Sequence, residues 1–217
     1  MKPKIFDLTP KISERLAVFP GDTPFRREVV LSFARGDTLE LSALGATAHL
    51  GAHADAPSHY HPSGESIERR SLGRYLGKAQ VVRVRGLGPK ERVRREHLGV
   101  EVCAPRVLFD TGSFPDPEVW TPNFNSLSPE LLESLADQGV CLVGIDTPSV
   151  DPEDSKALEA HQVLYSRDLA VLEGLVLKDV PEGVYTLIAL PLPIENGEAS
   201  PLRAVLLPYL EAWPELE

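Results

Sequence analysis

Cysteine is scarce. Only Cys103 and Cys141 occur, 38 positions apart and outside any CxxC pair. That excludes a disulfide framework and a cysteine-bound zinc site, and both thiols are expected to be buried. No long apolar run is present either. The longest stretch without a formal charge, 41–54, has 14 residues and contains two histidines, whereas a membrane span needs ~20 apolar residues. The opening residues Met1-Lys2-Pro3-Lys4-Ile5-Phe6-Asp7 carry no apolar core of a secretory signal, so a cytoplasmic protein is expected. Positive charge is in deficit as well: 22 Lys and Arg against 32 Asp and Glu leave a net charge of −10. Such a chain repels phosphate backbones. Its one basic cluster, Arg92 to Arg95, is flanked by Glu91 and Glu96 and reads as a solvated face. Neither nucleic acid nor membrane is expected as a partner. A small-molecule substrate is.

Repeats and linkers are also missing, so residues 1–217 are read as one domain, large enough to bury a core unaided. Proline is plentiful, 20 of 217 residues, about twice the usual ~5%, which implies many fixed turns. Short β-branched or apolar runs at 5–9, 28–33, 39–47, 79–85, 106–110, 140–146, 170–177, 184–190 and 203–207 read as strands. The clearest helix has Ser128 as its cap, Pro129 at its first position and Gly139 past its end. A second helix is expected to start at Asp154 or Ser155, with His161 on its apolar face. Strands outnumber helices, which predicts an α/β domain with a mainly β core and few helices.

Chemistry concentrates in His49-Leu50-Gly51-Ala52-His53-Ala54-Asp55-Ala56-Pro57-Ser58-His59-Tyr60-His61. Four of the six histidines fall in these 13 residues. Gly51 and Pro57 oppose a helix. In an extended chain the odd-numbered His49, His53, Asp55, His59 and His61 would point to one side. Two imidazoles and a carboxylate aimed at one point are ligands for zinc, and they also suit manganese or iron. His49, His53 and Asp55 are therefore expected to bind metal. Glu173 shares a strand face with Val171 and Leu175. A carboxylate buried there needs a partner, and a metal would supply one. Asp146, Asp151 and Asp154 read as strand-end and turn residues.

The segment 49–60 resembles the HxGTHxDxPxH signature of the metal-dependent cyclase or hydrolase family. Val18 to Phe25, with Pro20-Gly21-Asp22-Thr23-Pro24, resembles that family's early loop. The block 144–156 and the stretch from Leu158 to Leu175 are similar to later family blocks, so the resemblance spans about residues 6–207. Ala52 stands where the signature has Thr, and Phe19 where a Trp is usual. The resemblance implies a swivelling β/β/α fold and metal ligands at His49, His53, Asp55, His161 and Glu173. It implies a general acid/base at His59 and a substrate-ring contact at Phe19. Five ligands exceed what one tetrahedral zinc with an open position takes, so two zinc ions per subunit are expected, with manganese as the other candidate metal. The activity implied is hydrolysis of N-formyl-L-kynurenine to L-kynurenine and formate in tryptophan breakdown, by a homodimer or larger homo-oligomer. Ring opening of a cyclic amide such as isatin, or metal binding without catalysis, are the alternatives.

Overall fold

The computed structural model describes residues 4–209. In chain order the elements are β1 (Phe6–Asp7), β2 (Arg26–Leu31), β3 (Leu41–Gly45), β4 (His53–Asp55), β5 (Leu76–Arg83), β6 (Arg92–Val93), β7 (Arg106–Asp110), β8 (Ser126–Leu127), α1 (Pro129–Asp137), β9 (Leu142–Ile145), α2 (Glu159–Ser166), β10 (Ala170–Glu173), β11 (Gly183–Ile188), β12 (Ala199–Pro201) and β13 (Val205–Pro208). Nine strands form one mixed sheet in the order β1-β13-β11-β5-β7-β9-β10-β4-β12. The neighbours β5, β7, β9 and β10 are parallel, and the remaining pairs are antiparallel. Parallel neighbours require crossovers. The stretch containing α1 joins β7 to β9, and α2 joins β9 to β10. This is the mainly β, few-helix α/β architecture expected.

Both faces of the central strands are covered, which is why these strands read as continuous apolar runs rather than alternating ones. Val107, Phe109, Val143, Ile145 and Val171 pack with Leu131, Leu132 and Leu135 of α1 and Leu164 of α2. The intervening Leu108, Leu142 and Leu172 pack on the other face with Tyr75, Leu187 and Leu206. The period of two thus divides one sheet between two cores. The helix α1 starts as its cap predicts, with Ser128 Oγ accepting from the Leu131 N–H at 3.1 Å.

Several expectations shift. The second helix begins at Glu159, not at Asp154 or Ser155. Ser155 Oγ instead accepts from the Leu158 N–H at 3.0 Å and closes a turn. The helix start is capped by buried Asp151, which accepts from Ala160 N and His161 N, both at 3.1 Å. Cys103 is exposed and Cys141 half-buried, so neither is a buried thiol. The two-residue β6 and β8 and the three-residue β12 are too short to leave a periodic signal. Among the described residues the hairpin β2–β3 pairs only with itself, and it exposes Val30, Phe33, Leu41 and Leu44. No helix among the described residues is long and apolar enough to cross a membrane.

The strand expected over 170–177 stops at Glu173, because Gly174 turns left-handed (φ +65°). A Cβ at Gly174 would lie well inside contact distance of the Gly51 carbonyl. Gly174→Ala should therefore combine left-handed strain with a backbone clash and cost about 2–5 kcal/mol. Chemical denaturation reads this directly; an unchanged midpoint would show that the turn relaxes freely.

Candidate metal centre

In sheets with parallel strands, ligands bind where the carboxyl ends of the strands open. Here a cavity of about 610 Å³ lies just past the ends of β7, β9 and β10. Gly112 and Phe114 line it after β7, Asp146, Pro148 and Ser149 after β9, and Glu173 through Lys178 from the end of β10 onward. His49, His53, His59 and His161 also line it.

Strand pairing supplies the first half of the centre. The short β4 is clamped between β10 and β12, with His53 opposite Glu173 and Asp55 opposite Val171. His53 and Asp55 share a strand face, as the odd-numbered spacing predicts. The rest of the motif is not extended. Pro57–His59 is a 3₁₀ turn, and Gly51 is left-handed. His49 and His59 reach the same cavity by these turns, with their rings 4.2 Å apart. His61 does not reach it. It stacks on Tyr165 at 3.6 Å and accepts from the Ser63 N–H.

The second half comes from the segment after β9. The Val150 N–H donates to Glu173 Oε1 at 2.7 Å, and Gly174 N donates to the Thr147 carbonyl at 2.8 Å. Asp151 Oδ2 lies 2.8 Å from His161 Nδ1. That contact leaves His161 Nε2 facing Asp55 Oδ2 at 3.5 Å and Glu173 Oε1 at 3.6 Å. Likewise His53 Nδ1 lies 2.9 Å from the Gly51 carbonyl, which turns Nε2 toward Asp55 Oδ1 (3.4 Å) and Glu173 Oε2 (3.3 Å). An imidazole whose far nitrogen is fixed by a carboxylate or carbonyl is the usual arrangement around a metal. The sequence reading missed Asp151. It lies ten residues from its partner, and only the left-handed Leu158 and the cap bring the two together.

The donor set passes a direct test of fit. His53 Nε2 and both oxygens of Asp55 are buried yet make no hydrogen bond. Such atoms cost several kcal/mol unless something satisfies them. Ligand atoms of His53, Asp55 and Glu173 lie within 4.8 Å of one another, as do those of His49, Asp55 and His59. Asp55 belongs to both groups, with His49 Nδ1 3.0 Å from its Oδ1. Burial works to lower the pKa of His53, but Asp55 and Glu173 outweigh it and raise the group to about 10. Against the same opposition, Asp151 and Asp55 raise His161 to about 10. Asp55 is held well below the ordinary carboxylate range: burial opposes this, but His161, His49 and His53 prevail. His59 moves the other way, its pKa lowered chiefly by loss of water around the ring.

The Pro20-Gly21-Asp22 loop carries a second function of the cavity. Asp22 N donates to the Phe19 carbonyl, and Asp22 Oδ2 accepts from Thr47 Oγ1 at 3.3 Å. Thr47 Oγ1 in turn accepts from the His49 N–H at 3.3 Å, so the loop and a candidate ligand histidine are tied together. Phe19 faces the cavity with Trp120 edge-on at 5.1 Å. Trp120 Nε1 donates to Glu153 Oε1 at 3.0 Å, and Phe114 packs beside it. Trp120 sits in an irregular loop with no motif around it, and nothing in the sequence marked it.

Fold and site together define a candidate metal centre at one end of a mixed sheet. The Cyclase family model matches residues 6–152, and the chain belongs to that family. It is 43% identical over 208 residues to a kynurenine formamidase of Delftia acidovorans, covering 95% of this chain and 98% of the relative. It is 40% identical over 205 residues to a kynurenine formamidase of Bordetella petrii, covering 94% and 97%. Among solved structures, a potential metal-dependent hydrolase with cyclase activity superposes with a TM-score of 0.81 at 26% identity, covering 96% of this chain and 99% of that one. Isatin hydrolase A from Labrenzia aggregata reaches 0.77 at 23% identity, covering 96% and 94%, a likeness of fold alone.

Because Asp151 fixes His161 through Nδ1, Asp151→Asn should weaken zinc binding about 10–100-fold, the usual cost of losing an orienting partner. Competition with a chromogenic chelator measures it. Unchanged affinity would show that the His161 ring needs no such anchor.

Proposed function

We propose that the protein is a zinc-dependent aryl formamidase that hydrolyses N-formyl-L-kynurenine to L-kynurenine and formate. The observation that carries this is Asp55, buried without a hydrogen bond and shared by two groups of candidate ligands. Full-length likeness at about 40% identity to kynurenine formamidases supports the substrate. His49, His53, Asp55, His161 and Glu173 would hold the metal, and Asp55 belongs to both candidate donor groups. Zinc bound there would act as a Lewis acid and lower the pKa of water towards ~7.

The remaining chemistry falls to side chains of this chain. Phe19, with Trp120 beside it, lies where it can hold the aryl ring against the cavity wall. Water adds to the formyl carbon, and the C–N bond then breaks to give formate and the arylamine. His59 takes the proton from that water and returns it to the departing nitrogen. Loss of water around its ring favours the neutral form that a base requires. The proposal extends to a cytoplasmic homodimer or larger homo-oligomer, for which the exposed apolar β2–β3 hairpin is the support; sedimentation velocity reads the assembly.

Incubation of zinc-loaded protein with N-formyl-L-kynurenine and, separately, isatin tests the activity. Formate release from the first alone is expected; turnover of isatin alone would reverse the reading. Asp55→Ala should lose more than one zinc per chain. His59→Ala should keep its zinc while kcat falls about 10²–10⁴-fold. Zinc loss in that variant would instead make His59 a ligand with His49 and Asp55. Phe19→Ala should raise KM several-fold, consistent with an aromatic contact of ~0.5–1.5 kcal/mol. An unchanged KM with a lowered melting point would make Phe19 a packing residue only.

A further inference from the structure

We propose that Lys11 and Lys178 form a carboxylate-recognising rim on this cavity, so that the site favours aryl ligands with an anionic side chain over neutral ones. The proposal rests on the aryl formamidase reading and assigns the residues that would meet the carboxylate of its substrate's side chain.

The backbone brings the two lysines to one cavity. Val176 N donates to the Leu8 carbonyl at 2.8 Å, which ties the segment after β1 to the segment after β10. Lys11 follows Leu8 by three residues, Lys178 follows Val176 by two, and both line the cavity. Both are exposed, whereas His53, Asp55, His161 and Glu173 are buried. A ligand that puts its reacting group among those buried side chains leaves its far end toward the exposed part of the lining.

The other charged groups on that lining are already engaged. Asp146 accepts from Thr111 Oγ1 and Gly112 N, both at 2.7 Å. Glu153 accepts from Trp120, and Asp22 from Thr47. Lys178 makes no hydrogen bond or ion pair among the described residues. Glu118, the carboxylate near Lys11, is already held by Arg15 through two hydrogen bonds of 2.8 and 2.9 Å. Two exposed ammonium groups on one lining, on a chain of net charge −10, put local positive charge where a carboxylate could enter.

Binding rather than turnover tests this. The probes are 4-(2-aminophenyl)-4-oxobutanoate and its uncharged methyl ester, which share one ring, titrated calorimetrically into zinc-loaded protein. Exposed ion pairs contribute ~0.2–1 kcal/mol each, so wild type should bind the acid about tenfold tighter than the ester. Lys178→Met should weaken the acid about threefold and the double variant with Lys11→Met about tenfold, while the ester's Kd moves less than twofold. Lys178→Arg should retain the preference. The preference should also shrink as salt rises. Equal binding of acid and ester by wild type, no binding of either, or a preference that survives the double variant would overturn the rim. Failure to hydrolyse N-formyl-L-kynurenine would overturn the activity and leave this binding result standing.

Discussion

The structure is organised around a buried carboxylate, Asp55, whose oxygens make no hydrogen bond among the described residues. Asp55 is 1% exposed and is approached by His49, His53 and His161 at 3.0–3.5 Å. An uncompensated buried charge costs several kcal/mol, and folding would not retain it without a cation to share. The protein answers in two ways that compete. Protons can serve, which is why His53 and His161 are raised to about 10 against the pull of burial. A metal can serve the same nitrogen and oxygen atoms. Binding it releases those protons, so occupancy of the site and acidity of the solution are linked.

Such a cluster needs rigid supports, and the sheet supplies them from two directions. The register between β4 and β10 sets His53 across from Glu173. That pairing is backbone geometry and does not depend on the side chains it presents. His161 arrives instead on a helix, whose first turn is capped by Asp151, the same carboxylate that orients its ring. One residue therefore fixes both the start of the helix and the direction of a candidate ligand. The segment after β9 closes around Glu173 through Val150 and Thr147. The turn residues of this segment thus act as the frame of the site.

How much of this could be read in advance follows from the range of each interaction. That His53 and Asp55 share a face was legible because their spacing is local and the β period is fixed, whereas His49 joins them through the left-handed turn at Gly51. Extending that period to His59 and His61 failed, since the Pro57 turn ends the strand and sends His61 to Tyr165. The α1 cap was legible because Ser128 and Pro129 act within one turn. The start of α2 was not, because its cap lies eight residues upstream of Glu159. Asp151 and Trp120 were missed for the same reason: their roles exist only once residues far apart along the chain meet. The glycine at 174 carries no periodic signal, yet the close approach of the Gly51 backbone requires it.

The cavity divides its labour by depth, and the division follows from solvation. Groups that need strong fields are buried, where the effective dielectric is low and charges interact strongly. Around them the lining becomes aromatic, with Phe19, Phe114 and Trp120 packed edge to face, so that this part of the wall adds no charge near the buried cluster. Long flexible cations are placed where water still screens them. A lysine among the buried candidate ligands would repel any cation drawn to Asp55, whereas at the exposed rim its charge is screened from them. The order of buried carboxylates, aromatic wall and exposed ammonium groups is thus the arrangement in which each group's charge is compatible with its neighbours.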